Sequence, residues 1–125
     1  MEKHSLGSSG LVVPAMGMGT WRTFEVRGEA AVNNARAVVD KAMELGATFF
    51  DSSPMYGNAE HVLGLSLVGR RDAALVATKV WANTQAEGRD QAKRSLAFFG
   101  GRIELYQIHN LLNWREQLIM LEQLR

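Results

Sequence analysis

The sequence predicts an α/β protein built from the first four βα units of a (β/α)8 barrel of the TIM type, a half barrel. Three observations predict it. Short apolar runs alternate four times with longer stretches of helical periodicity. Thr20, Asp51, Lys79 and His109 each close an apolar run, at separations of 31, 28 and 30 residues, which is the repeat of one βα unit in a barrel of about 250 residues. The glycine-rich turn that an open nucleotide-binding sheet needs after its first strand is missing, since "GMGTWR" supplies Gly17 and Gly19 but has Arg22 in the third place. Alternation of this kind implies parallel strands, because a parallel neighbour is reached only through a long return connection. Residues 1–125 are read as one domain, with residues 1–10 as a flexible tail.

The elements follow in order. "MGMGTW" ends the first run. Val32, Ala35, Val38, Val39, Ala42 and Met43 then fall on one helical face, with Gly46 as the stop. "ATFFD" is the second run, followed by a short helix from about Ala59 with Val62, Leu63 and Leu67 inward and its end at Gly69. Glu60 and His61 are placed on the exposed side of that helix, with no role. "AALVATKV" has the Val and Ala content of a strand covered on both faces. Thr84 with Glu87 forms a capping box that opens the third helix. Ala92, Leu96 and Phe99 line its inner face, and Gly100-Gly101 closes it. "IELYQIH" is the fourth run. Asn113 and Glu116 suggest the cap of a last helix with Trp114, Leu118, Leu121 and Leu124 inward.

Composition excludes several classes. The 125 residues are 46% hydrophobic, enough for one small domain with a core. Fourteen Lys and Arg against 13 Asp and Glu leave a net charge of +1 with no single-sign block, which argues against nucleic acid as a partner. Cysteine is absent, so disulfides, thiolate metal sites and a cysteine nucleophile are excluded. No apolar run reaches the roughly 18 residues of a membrane helix. "MEKHSLGSSG" lacks the apolar stretch of a signal peptide. The expectation is a soluble, cytoplasmic protein without a metal site: there are only three histidines, and His4 lies in the polar tail.

The residues at the run ends each have a bland reading. Asp51 can begin a turn, Lys79 can be a snorkelling surface lysine, and His109 a satisfied core histidine. Tyr56 can be a packing residue in the turn that "PMYGNAE" forms after Phe49, Phe50, Asp51 and two serines. Taken together these readings weaken, because three ionisable residues recur at the same point of successive βα units, and in a barrel those points face one mouth. A free phenol has a pKa near 10 and exchanges protons poorly near neutrality. A neighbouring ammonium favours the phenolate. An aspartate beside that lysine holds it charged and in place, and an imidazole on the far side hydrogen-bonds a substrate oxygen. Tyr56, Lys79, Asp51 and His109 thus form a proton-delivery set for a carbonyl oxygen. None of them can donate a hydride, so a reduction needs an organic cofactor.

"GMGTW", the stretch from Phe49 to Glu60 that ends in "PMYGNAE", "VATKVW" and "ELYQIHN" resemble, in order and spacing, the first half of the aldo-keto reductases. The resemblance runs from about Leu11 to Arg125. It implies a (β/α)8 barrel that uses NADPH, with NADH as the alternative, to interconvert carbonyls and alcohols. It implies Tyr56 as general acid, Lys79 as the group that lowers the phenol's pKa, Asp51 as the lysine's partner, and His109 as the orienter of the substrate carbonyl. Gly19, Thr20 and Trp21, with Asp51, match the segments beside the nicotinamide, and Trp21 and His109 those beside the substrate.

Two other readings stay open. One is a non-catalytic half barrel that self-associates or binds a partner, since two sheet edges and an apolar inner face need cover. The other is a barrel enzyme that uses Asp51, Lys79 and His109 in lyase or aldolase chemistry.

Overall fold

The computed structural model describes residues 1–125. It begins with an antiparallel hairpin of strands β1 (Lys3–Ser5) and β2 (Val12–Pro14). Residues 1–10, expected as a flexible tail, therefore contribute a paired strand, tied further by the Ala15 N–H donating to the Glu2 carbonyl at 2.8 Å. Four βα units follow: β3 (Met18–Gly19) and α1 (Glu29–Glu44), β4 (Phe49–Asp51) and α2 (Ala59–Ser66), β5 (Leu75–Val80) and α3 (Gln85–Phe98), β6 (Leu105–Ile108) and α4 (Trp114–Glu122). The four strands form one parallel sheet in the order β3-β4-β5-β6. Strand order equal to chain order is that of a barrel wall, where each crossover moves one place along. No helix is long and apolar enough to cross a membrane.

Local chemistry explains the element ends. α1 stops at Gly46, which takes φ +85. The Gly46 N–H donates to the Met43 carbonyl and the Ala47 N–H to the Ala42 carbonyl, both at 2.9 Å, a Schellman closure that a residue with a Cβ adopts at a cost. α3 opens on the expected capping box: the Glu87 N–H donates to Thr84 Oγ1 at 3.2 Å, and the Glu87 carboxylate accepts from the Thr84 N–H.

The main core lies between the sheet and α1–α3. Val39, Phe50, Val62, Leu63, Leu67, Val76 and Phe99 are all almost fully buried there, each contributing about 1.5–3 kcal/mol of hydrophobic stabilisation. Three helical expectations are corrected. Val38 is 45% exposed, so the apolar stripe of α1 is narrower than its periodicity suggests. Glu60 is buried, not exposed: its carboxylate accepts from Thr78 Oγ1 at 2.6 Å and Ser95 Oγ at 2.9 Å. α4 is rotated from its expected seat, with Gln117 and Met120 inward while Trp114, Leu118 and Leu124 are exposed. The reason is polar. Gln117 donates to the Ala82 and Thr84 carbonyls at 3.1 and 2.9 Å, in space that exists because residue 88 is glycine: a Cβ there would sit 2.2 Å from Gln117 Oε1.

Candidate active site

The sheet register places the candidate residues at one end. Gly19 pairs with Asp51 and Asp51 with Ala77, while Lys79 lies two residues beyond Ala77 and beside Gln107. Residues two apart on a strand share a face, so Gly19, Asp51 and Lys79 occupy one face near the strand ends. His109 follows β6 directly, at the start of a tight turn over His109–Leu111. Tyr56 ends a 3-10 turn, Pro54–Tyr56, that leaves β4; Pro54 is preset for it, and the buried Ser53 side chain caps it by accepting from the Met55 N–H at 3.2 Å.

Lys79 is the centre of this group. Its ammonium donates to Asp51 Oδ1 and Oδ2, each at 2.7 Å, and to the Ser52 carbonyl at 2.8 Å. All three ammonium hydrogens are thereby used, and the side chain is only 13% exposed. The same ammonium lies 5.4 Å from the centroid of the Tyr56 ring. Tyr56 in turn meets the His109 imidazole edge-on, with centroids 5.7 Å apart and planes at 85°. His109 Nδ1 is 2.7 Å from Ser53 Oγ. Burial lowers the His109 pKa from its usual 6.5, the Lys79 charge lowers it further, and Asp51 opposes them. The ring is consequently neutral at physiological pH.

Around this cluster the remaining expected residues divide. Thr20 is fully buried; its hydroxyl donates to the Asp51 carbonyl at 3.1 Å and shares a hydrogen bond with Ser52 Oγ at 2.9 Å, and its N–H donates to the same carbonyl at 3.0 Å. It stitches the end of β3 to β4. Trp21, one residue on, is 63% exposed, and Arg22 stacks over its indole. Gly19 faces open space where a side chain would stand. The structure thus brings Asp51, Lys79, Tyr56 and His109 together, and sets Gly19 and Trp21 at the same strand ends.

Ser53 joins this group without having been expected in it. A local signal was present, since Ser53 directly precedes Pro54 and a serine in that place caps a turn. Its bond to His109, 56 residues on, was not legible locally.

A parallel sheet in barrel order, with its ionisable residues gathered at the C-terminal strand ends, defines the class as one half of a (β/α)8 barrel. A family model described as the aldo/keto reductase family matches residues 15–125, and the chain belongs to that family. It is 37% identical over 81 residues to a pyridoxal 4-dehydrogenase of Microbacterium luteolum, covering 63% of this chain and 24% of that protein. It is 42% identical over 85 residues to an L-galactose dehydrogenase of Arabidopsis thaliana, covering 63% and 26%. It superposes on an aldo/keto reductase from Klebsiella pneumoniae solved in complex with NADP and acetate, with a TM-score of 0.77 and 27% identity over 90% of this chain and 42% of that one. These matches span about a quarter of the two curated relatives and less than half of the solved chain.

Proposed function

We propose that these four βα units form the proton-delivery side of the active site of a nicotinamide-dependent carbonyl reductase, which interconverts aldehydes or ketones with alcohols. The observation that carries this reading is the Lys79 ammonium, clamped on both Asp51 oxygens at 2.7 Å and set beside the Tyr56 ring. Tyr56 gives its phenolic proton to the carbonyl oxygen as that oxygen gains negative charge. The fixed positive charge of Lys79 stabilises the phenolate left behind, and Asp51 keeps Lys79 charged and in place. His109, neutral, hydrogen-bonds the same oxygen and orients it.

The donor set fits a nicotinamide, because it moves protons and contains no reductant. Hydride transfer to the carbonyl carbon is the chemistry a bound nicotinamide supplies. Gly19, Trp21 and the Asp51 carboxylate, 34% exposed, are the residues of this chain that would lie against it. Thr20, its hydroxyl and N–H already bonded within the protein, supports them by holding the loop. The NADP bound by the Klebsiella pneumoniae relative supports NADPH over NADH. The two curated relatives are named for pyridoxal and L-galactose, both small hydroxylated carbonyl compounds, which supports that substrate class.

Tyr56→Phe tests the reading. In an eight-unit barrel that carries these residues, it should cut carbonyl reduction by about 10²- to 10⁴-fold and leave NADPH affinity, read by tryptophan fluorescence quenching, nearly unchanged. Turnover of an aldehyde close to the parent rate would return Tyr56 to a packing role.

A further inference from the structure

We infer that Ser53 is a positioning residue for His109: by donating its hydroxyl hydrogen to Nδ1 it holds the imidazole as the Nε2–H tautomer. His109 then presents a hydrogen-bond donor, not an acceptor, on the nitrogen that Ser53 leaves free. The inference rests on the carbonyl-reductase reading only for its consequence, since a carbonyl oxygen can accept from Nε2–H and gains nothing from an unprotonated nitrogen.

Hydrogen-bond satisfaction decides the direction of this bond. Ser53 is fully buried, so water does not complete its bonding. Its oxygen accepts from the Met55 N–H at 3.2 Å, and its other partner is His109 Nδ1 at 2.7 Å. If Nδ1 carried the hydrogen, the serine oxygen would accept twice and its own hydrogen would be buried with no acceptor, which is the costly arrangement. If the serine donates, its hydrogen, its oxygen and Nδ1 are all satisfied. The Pro54–Tyr56 turn that carries the phenol therefore also carries, at its cap, the group that sets the histidine. The groups facing the ring are Lys79, Asp51 and Tyr56. None of them makes a hydrogen bond to either ring nitrogen, so the tautomer falls to Ser53 alone.

Long-range ¹H–¹⁵N NMR of the 125-residue chain reads this without any activity. The chain holds three histidines, His4, His61 and His109, and His4→Gln and His61→Gln assign the third by elimination. Above the His109 transition, at about pH 8, the parent should show the Nε2–H pattern. Ser53→Ala should lose that preference and give mixed tautomers, while Ser53→Thr, which keeps the hydroxyl, should retain it. An Nδ1–H pattern in the parent overturns the inference, as does an unchanged pattern in Ser53→Ala. Should Ser53→Ala fail to fold, the parent spectrum still decides. In an eight-unit barrel, Ser53→Ala should lower kcat/KM for an aldehyde by about 10- to 100-fold, the range seen when the outer partner of a metal-bound histidine is removed. NADPH affinity should not move. The two readings fail separately. An active Tyr56→Phe variant sinks the reductase reading and leaves the tautomer result standing, whereas an inactive Tyr56→Phe with an unaltered tautomer in Ser53→Ala sinks only this inference.

Discussion

At the scale of single residues, the ammonium of Lys79 has no hydrogen left for Tyr56. Two go to Asp51 and one to the Ser52 carbonyl, so in the proposed mechanism the lysine acts on the phenol through its charge and not through a shared proton. The proposed mechanism therefore treats the pair as one unit, which double variants can test. If the proposed roles hold, Lys79→Met should lower kcat/KM by a large part of what Tyr56→Phe costs. With the phenol already gone, the lysine has little left to do, so the double variant should lose far less than the product of the two single losses. Lys79→Arg should not rescue, because a planar guanidinium cannot reproduce a three-way tetrahedral contact. Steady-state kinetics of the parent and these variants checks this; fully multiplicative losses in the double variant would show that the residues act independently.

At the scale of elements, α2 and β5 are joined by a buried carboxylate. Glu60 on α2 accepts from Thr78 of β5 and Ser95 of α3, and the Tyr106 hydroxyl of β6 is buried close to Ser95 and Glu60. Burial raises the Glu60 pKa above its ordinary 4.5, against the opposing effect of those hydroxyls. A raised folded-state value stabilises the protonated form, so this contribution is fully present below about pH 4.5 and is lost as pH rises through the folded-state value. Glu104 works in the opposite sense. Burial pushes it up, but Arg71, the Val76 N–H and Arg102 outweigh burial and hold it low, so its stability is lost only as pH falls. Glu60→Gln should therefore gain on the parent as pH rises above about 4.5 in urea unfolding, while Glu60→Ala should lose about 1–3 kcal/mol at every pH by stranding the hydroxyls of Thr78 and Ser95. A constant difference between Glu60→Gln and the parent would show that Glu60 does not titrate across folding. Glu60 also shows what was legible. Glycine stops, the Thr84–Glu87 box and the polar ends of apolar runs were readable because each depends on a few adjacent residues. Glu60 stands three and seven residues before Leu63 and Leu67, hence on the buried face by period alone, yet its charge suggested solvent. Its partners lie 18 and 35 residues away. The seat of α4 failed for the same reason: the carbonyls that draw Gln117 inward belong to another loop, and the hydrophobic pattern of Trp114, Leu118 and Leu124 contains no trace of them.

At the scale of the whole molecule, the sheet has two unpaired edges, β3 with two residues and β6 with four. An accessible surface of 7391 Å² for 13.8 kDa exceeds the about 6,600 Å² of a compact monomer of that mass. The excess, about 800 Å², is what one partner contributes to a protein interface of standard size. Apolar surface goes with the open edge: Trp114, Leu118 and Ile119 of α4 and Leu111 before it are all more than 40% exposed. β6 is the stronger edge, because four residues offer a longer ladder than two. The 125-residue chain should therefore associate in solution, with β6 and the outer side of α4 at the contact. Sedimentation at micromolar concentration should show species heavier than 13.8 kDa. Leu118→Glu should weaken association by placing a charge in the covered apolar surface. Joining four further βα units from a relative should abolish it, since the added strands pair with β3 and β6 and close the wall. A compact monomer that persists at high micromolar concentration would mean that the edges are protected as they stand, and that the excess surface is tolerated without a partner.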